Sequence, residues 1–168
     1  GGIAAAMDPA DDPRNHAADT IRAGAGIVDP AVAAFVTAEA PGLIRVLTGF
    51  GAPFDRTADG GYVLSREAAH GFARVVRVKG DQAGAEITRA LIAAVRATPS
   101  VQVLEGAMAA GLHVVAGRVT GVRLESADGS APILLLAPAV LLAAGGSAGL
   151  YGRTTNPARI CGQALGMA

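Results

Sequence analysis

Two stretches of the sequence gather residue types that can do chemistry. The first is Arg66–Glu67–Ala68–Ala69–His70, followed by Gly71–Phe72–Ala73–Arg74–Val75–Val76–Arg77. It brings a carboxylate, an imidazole and guanidinium groups into one short block. A guanidinium forks onto a carboxylate, so Arg74 or Arg77 can pair with an acidic small molecule. Read alone, Glu67 and His70 are equally at home as solvated loop side chains, and Arg77 as a surface charge. The second stretch is Ala139–Val140–Leu141–Leu142–Ala143–Ala144–Gly145–Gly146. Here an apolar run meets a tight glycine turn. Such a turn exposes backbone N–H groups with little side-chain bulk, and nucleotide cofactors are held there, at the carboxyl end of a buried strand.

Other reactive residues point elsewhere. Cys161 has no His at a useful spacing, and no CxxC or His-x-x-x-His pattern exists, so no metal site is expected. His113 lies in a strand pattern and reads as structural. No Ser–His–Asp set can be assigned from chain order.

The elements that must position these residues follow from periodicity. His16 to Ala23 reads as a short helix stopped by Gly24 and Gly26. Asp29 caps the next helix with Pro30 at its first position. Val32, Phe35, Val36, Leu43, Ile44 and Leu47 continue it, with a break expected near Pro41–Gly42. Asp59–Gly60–Gly61 is hairpin-like, and Tyr62–Val63–Leu64 follows as a short strand. Val75, Val76 and Val78 suit another strand. Gln82 to Ala97 is the clearest helix, with a stripe of Ile87, Leu91 and Val95. Strands are then expected at Val101–Leu104, at His113–Val115 and Val119–Leu124 around an Ala116–Gly117–Arg118 turn, at Ile133–Leu136, and at Ala139–Ala143. This order predicts an α/β fold with a three-strand antiparallel segment beside a parallel sheet.

Composition bounds the partners. The 168 residues suit one domain, and 51% hydrophobic residues supply a core. Net charge is zero, so no strong field draws nucleic acid or an anionic membrane surface. With 4% aromatics and no Trp there is little to stack on bases. No apolar run approaches the roughly 20 residues of a membrane span. A single Cys suits a reducing, cytoplasmic compartment. The chain starts Gly-Gly and stops at Gly166–Met167–Ala168 in a helix-start pattern, which predicts a fragment.

Several separated blocks, in order and spacing, resemble the middle of the flavin-binding domain of the L-aspartate oxidase family. That family groups with the flavoprotein subunits of succinate dehydrogenase and fumarate reductase. The blocks are Gly1–Gly2–Ile3–Ala4–Ala5–Ala6, His16–Ala17–Ala18–Asp19–Thr20, Ala23–Gly24–Ala25–Gly26, Gly51–Ala52–Pro53–Phe54–Asp55, Arg66–Glu67–Ala68–Ala69–His70, Gly80–Asp81 with Gly84, Val103–Leu104–Glu105, Ala144–Gly145–Gly146 with Leu150–Tyr151, and Thr154–Thr155–Asn156–Pro157. The Pro-Phe-Asp and Arg-Glu-Ala-Ala-His blocks look more like the oxidase than its relatives.

The resemblance implies a Rossmann-like FAD-binding domain, of which residues 1–168 are the central part. The GxGxxG unit would precede Gly1 and the capping domain would follow Ala168. It implies FAD as cofactor and oxidation of L-aspartate, or another small dicarboxylate, to the imino product. That product feeds quinolinate synthesis and NAD formation, with quinolinate synthase as a partner. The isolated piece is expected to be inactive and to supply no catalytic residue. By resemblance Glu67 orients the substrate, with His70 and Arg74 beside it. Gly1, Gly2, Met108, Ala109, Ala144, Gly145, Gly146 and Gln163 fall at cofactor positions. Gln163 departs from the family, whose Gly-Asp-Gly stands where this chain has Gly162–Gln163–Ala164; an amide carries no charge for the nucleotide end. The alternatives are a succinate- or fumarate-type flavoprotein segment and a degenerate, non-catalytic module.

Overall fold

A computed structural model describes residues 1–126 and 128–168. The elements run β1 (Gly2–Ala4), α1 (Pro13–Ala23), α2 (Pro30–Gly49), β2 (Leu64–Ser65), β3 (Val75–Arg77), α3 (Ala83–Arg96), β4 (Ala107–Val115), β5 (Arg118–Ser126), β6 (Ile133–Leu136) and α4 (Gln163–Met167). They form two compact units, Gly1–Gln102 and Val103–Ala168.

In the first unit, capping sets the helix starts. The Asp12 carboxylate accepts from the Arg14 N–H at 2.7 Å, and Pro13 fills the first helical position. This cap starts α1 at Pro13, ahead of the expected His16. Asp29 accepts from the Ala31 and Val32 N–H groups at 2.8 and 3.3 Å and starts α2 where expected.

The expected break at Pro41–Gly42 does not occur; α2 runs through it to Gly49. An internal proline costs a helix about 3 kcal/mol. Ile44, 1% exposed, lies beyond Pro41 in the core, where full burial of such a side chain returns about 1.5–3 kcal/mol, and the partly buried Leu47 packs against it. Burial therefore carries the helix past its weak point. The 20 residues of α2 are also long and apolar enough, by length and composition, to cross a membrane, contrary to the expectation that no run approaches that size. This helix nevertheless carries Glu39 and Arg45 and packs against α1 and α3.

The sheet of this unit is ordered β1-β3-β2, with both pairings antiparallel and Ile3 and Leu64 both opposite Val76. A Cβ on Gly2 would sit 2.4 Å from the Val76 carbonyl oxygen, so only glycine fits that point of the strand pair. The core collects Ala5, Ile44, Ala52, Phe54, Val76 and Val78, with Ala83 and Ala90 from α3. Ile87 packs on this core, whereas Leu91 and Val95 of the expected stripe remain exposed.

The second unit is a meander ordered β4-β5-β6. Ala116 and Gly117 join β4 to β5 with φ of 49° and 76°, the positive pair that a two-residue hairpin of right-handed twist requires. The expected antiparallel three-strand segment is thus present, and every strand pairing among the described residues is antiparallel. Two expected strands are absent: Val101–Leu104 and Ala139–Ala143 have no ladder. A strand persists only where a neighbour completes its hydrogen bonds, and among the described residues none pairs with either run.

Candidate functional site

The β2–β3 connection carries the first chemical block, and hydrogen bonds close it at every level. The Arg74 N–H donates to the Ser65 carbonyl at 3.2 Å, pinching the loop at its base. Within it, the His70 N–H donates to the Glu67 carbonyl at 3.0 Å, and Nε of Arg66 donates to the His70 carbonyl at 2.9 Å. Glu67 and His70 therefore share one tight turn. Glu67 is exposed and His70 is half-buried.

Arg74 is placed differently from Glu67. Its side chain is fully buried, between two acidic residues of the segment running from the loop after β1 into α1. Nε and Nη2 fork onto the Asp11 carboxylate at 2.8 and 3.0 Å. Nη1 donates to Oδ2 of Asp19 at 2.6 Å and meets Nδ1 of His70 at 3.2 Å. Asp19 also accepts from the Gly71 N–H at 2.6 Å and pairs with Arg22. A Cβ on Gly71 would stand 3.2 Å from the Asp19 oxygen, so the missing side chain permits this approach.

Electrostatics follow the contacts. The Gly71 N–H and then the Arg74 guanidinium hold the Asp19 carboxyl far below the ordinary carboxylate range. Burial pushes Asp11 upward, but its hydrogen bonds from Arg74 and the Asp12 backbone outweigh this and leave it lowered. Arg74 is raised by its bonds to Asp11, against the opposing effect of burial. His16 lies edge-on to His70, with ring centres 5.6 Å apart, and its Nδ1 is buried with no hydrogen-bond partner among the described residues. Burial, then the positive charge of Arg74, pulls its pKa down.

Sequence reasoning missed Asp11, Asp19 and His16 as parts of this site. The His16–Thr20 block was noted, but nothing in local spacing links it to a guanidinium 55 residues away.

The second unit carries most of the expected cofactor residues. Ala109 of β4 and Ala144 meet in an apolar groove of about 320 Å³, completed by Leu112, Val122, Leu142 and Met167. Gly145 has a φ of 82°, and the Gly146 carbonyl accepts from the Gly162 N–H at 3.0 Å, closing the intervening loop. Gln163 opens α4 directly after Gly162, whose φ is 76°. Met108, Gly145, Gly146 and Gln163 do not line the groove. In the first unit Gly2 sits in β1, and Gly1 is exposed, with space for a Cβ among the described residues. An apolar slot of this size, lined by leucine, valine and methionine with three alanines among them, fits a flat heteroaromatic ring, as FAD presents at both ends.

The whole chain, residues 1–168, matches the family model described as FAD binding domain. It is 54% identical to an L-aspartate oxidase of Caulobacter vibrioides, over all of this chain and 33% of that protein. It is 43% identical to one of Agrobacterium fabrum, again over all of this chain and 32% of the relative. The chain thus spans about a third of the length of these relatives. Among solved structures, Mycobacterium smegmatis Sdh1 superposes with a TM-score of 0.89 at 28% identity, covering 100% of this chain and 30% of that one. E. coli quinol fumarate reductase FrdA gives 0.92 at 24% identity, over 100% of this chain and 28% of its own, a likeness of fold. With helices and strands arranged as in those proteins and its full length covered by one family, the chain belongs to the FAD binding domain family, whose cofactor is FAD.

Proposed function

We propose that residues 1–168 are the central part of a single FAD-binding domain in an enzyme that oxidises L-aspartate to iminoaspartate. The observation that carries this reading is identity to L-aspartate oxidases of 54% and 43% along the entire chain. A bound FAD supplies the hydride acceptor. The residues of this chain bind and orient. Glu67, exposed on its turn, offers a carboxylate to the substrate ammonium group. His70, in the same turn, offers a ring nitrogen to a substrate carboxylate. Ala109 and Ala144 give the cofactor an apolar wall, with the backbone at Met108, Gly145 and Gly146 as further contacts from the same unit. Gly1 and Gly2, in the first unit, are cofactor contacts by resemblance alone. Gln163 contributes amide hydrogen bonds where a carboxylate would contribute charge. The single Cys161 suits a cytoplasmic location. An enzyme that consumes iminoaspartate, such as quinolinate synthase, is the partner this reading implies.

A second reading is a succinate- or fumarate-type flavoprotein, supported by the likeness to Sdh1. Identity falls from 54% to 28% between the two groups, which favours the oxidase. The test is anaerobic addition of L-aspartate or succinate to the purified full-length protein. Loss of the visible flavin band with L-aspartate alone supports the proposal; bleaching by succinate alone selects the second reading. A protein that takes up no flavin at all would be the non-catalytic module.

A further inference from the structure

We infer that Arg74 is a positioning residue: held between Asp11 and Asp19, it donates to Nδ1 of His70 and so fixes the His70 proton on Nε2, the nitrogen left to donate to a substrate. This rests on reading the Glu67–His70 turn as the substrate loop.

The donor count leads to it. A guanidinium has five N–H donors and no acceptor. Nε and Nη2 of Arg74 each spend one on Asp11. The two hydrogens of Nη1 divide between Asp19, at 2.6 Å, and His70, at 3.2 Å. Because Arg74 can only donate, Nδ1 of His70 must accept in this contact. The ring proton then stands on Nε2, which has no hydrogen-bond partner among the described residues. A ring nitrogen's role is set in this way by what the other nitrogen touches.

The arrangement also fixes direction. His16 packs edge-on against the same ring. The His70 backbone is tied on both sides, to Glu67 and to Arg66. Ring and backbone are therefore both held, and the turn presents a carboxylate acceptor and an N–H donor together. Such a pair recognises an ammonium and a carboxylate on one small molecule. Arg74 itself is buried and spent on internal partners, so it acts through His70 and does not touch substrate.

The test uses the full-length protein. Removing the charge outright would strand Asp11 and Asp19, so the variant is Arg74→Lys. A lysine keeps one positive charge there but cannot serve both carboxylates and His70 from a single nitrogen. Retention of the flavin band and of the thermal midpoint to within a few degrees shows that the variant is folded. The KM for L-aspartate is expected to rise about tenfold with kcat changed by less than about threefold, the pattern of lost binding orientation. In a His70→Ala background the same substitution is expected to add less than about twofold, because coupled residues are not additive. Full multiplication of the two effects overturns the inference. A second readout is independent of turnover: nitrogen-15 spectra of the histidine rings. They should show His70 protonated at Nε2 in the parent and mixed tautomers in Arg74→Lys. A parent ring protonated at Nδ1 overturns the inference whatever the substrate. Failure of L-aspartate to reduce the flavin would remove only the substrate assignment, and the ring spectra would still decide the role of Arg74.

Discussion

Nη1 of Arg74 and Oδ2 of Asp19 meet at 2.6 Å although 55 residues separate them in the chain. Asp11, which binds the other edge of the same guanidinium, is 63 residues away. These contacts fasten the β2–β3 loop to the first helix and to the segment before it. A surface ion pair is worth little, but this one is buried, where losing a partner leaves a charge with nothing to meet it.

Asp11→Ala is therefore expected to destabilise the protein by about 3 kcal/mol, since two of the Arg74 donors lose their acceptor in a site closed to water. Urea unfolding of the full-length protein followed at the flavin band measures it. An unchanged midpoint would show that the fork contributes nothing.

Acid should loosen the same site. Asp19 and Asp11 both ionise lower in the folded protein than in the unfolded chain. The unfolded carboxyls titrate near pH 4. The stabilisation is complete above that value and is lost as pH falls through the lower, folded values. Thermal midpoints taken downward from neutral pH should drop below about pH 4, and Asp19→Asn should flatten that drop.

His16 adds a separate pH window. Its pKa is lowered in the fold by burial and by Arg74, with His70 adding to this and Asp11 and Asp19 opposing it. An unfolded imidazole takes up its proton near pH 6.5. Between that pH and the lower folded value the unfolded chain binds more protons, so stability falls as pH falls. His16→Gln removes this titration, and the slope of thermal midpoint against pH just below about 6.5 should shrink in the variant. An equal slope in parent and variant would count against it.

The β4–β5 turn offers a gain. Ala116 sits at a φ of 49°, a region that costs an alanine about 1–2 kcal/mol and suits Asn. Ala116→Asn should stabilise by about 0.5–1 kcal/mol, because Asn-Gly is the preferred pair for this hairpin. A thermal midpoint that does not rise would show that the turn is set by its strands.

Local rules read the helices and hairpins well. Asp29–Pro30 marks the start of α2, Gly24 stands just past the end of α1, and the Ala116–Gly117 turn is visible as a turn. The failures have physical causes. The run past Pro41 was invisible because its compensation, the burial of Ile44, is tertiary. The strands expected at Val101–Leu104 and Ala139–Ala143 were read from side chains alone, although a ladder needs a partner. In the site, the block from Arg66 to Arg77 was legible as chemistry. That Arg74 turns inward was not, because the carboxylates that bury it lie far away in sequence.

The unladdered run at Ala139–Ala143 has a material consequence. It is uncharged and free of proline, and Leu141 is 90% exposed. Such a segment is a template for intermolecular zippering into fibrils. When made as these 168 residues alone, the polypeptide should clump in a concentration-dependent way, and a lysine in place of Leu141 should keep it dispersed.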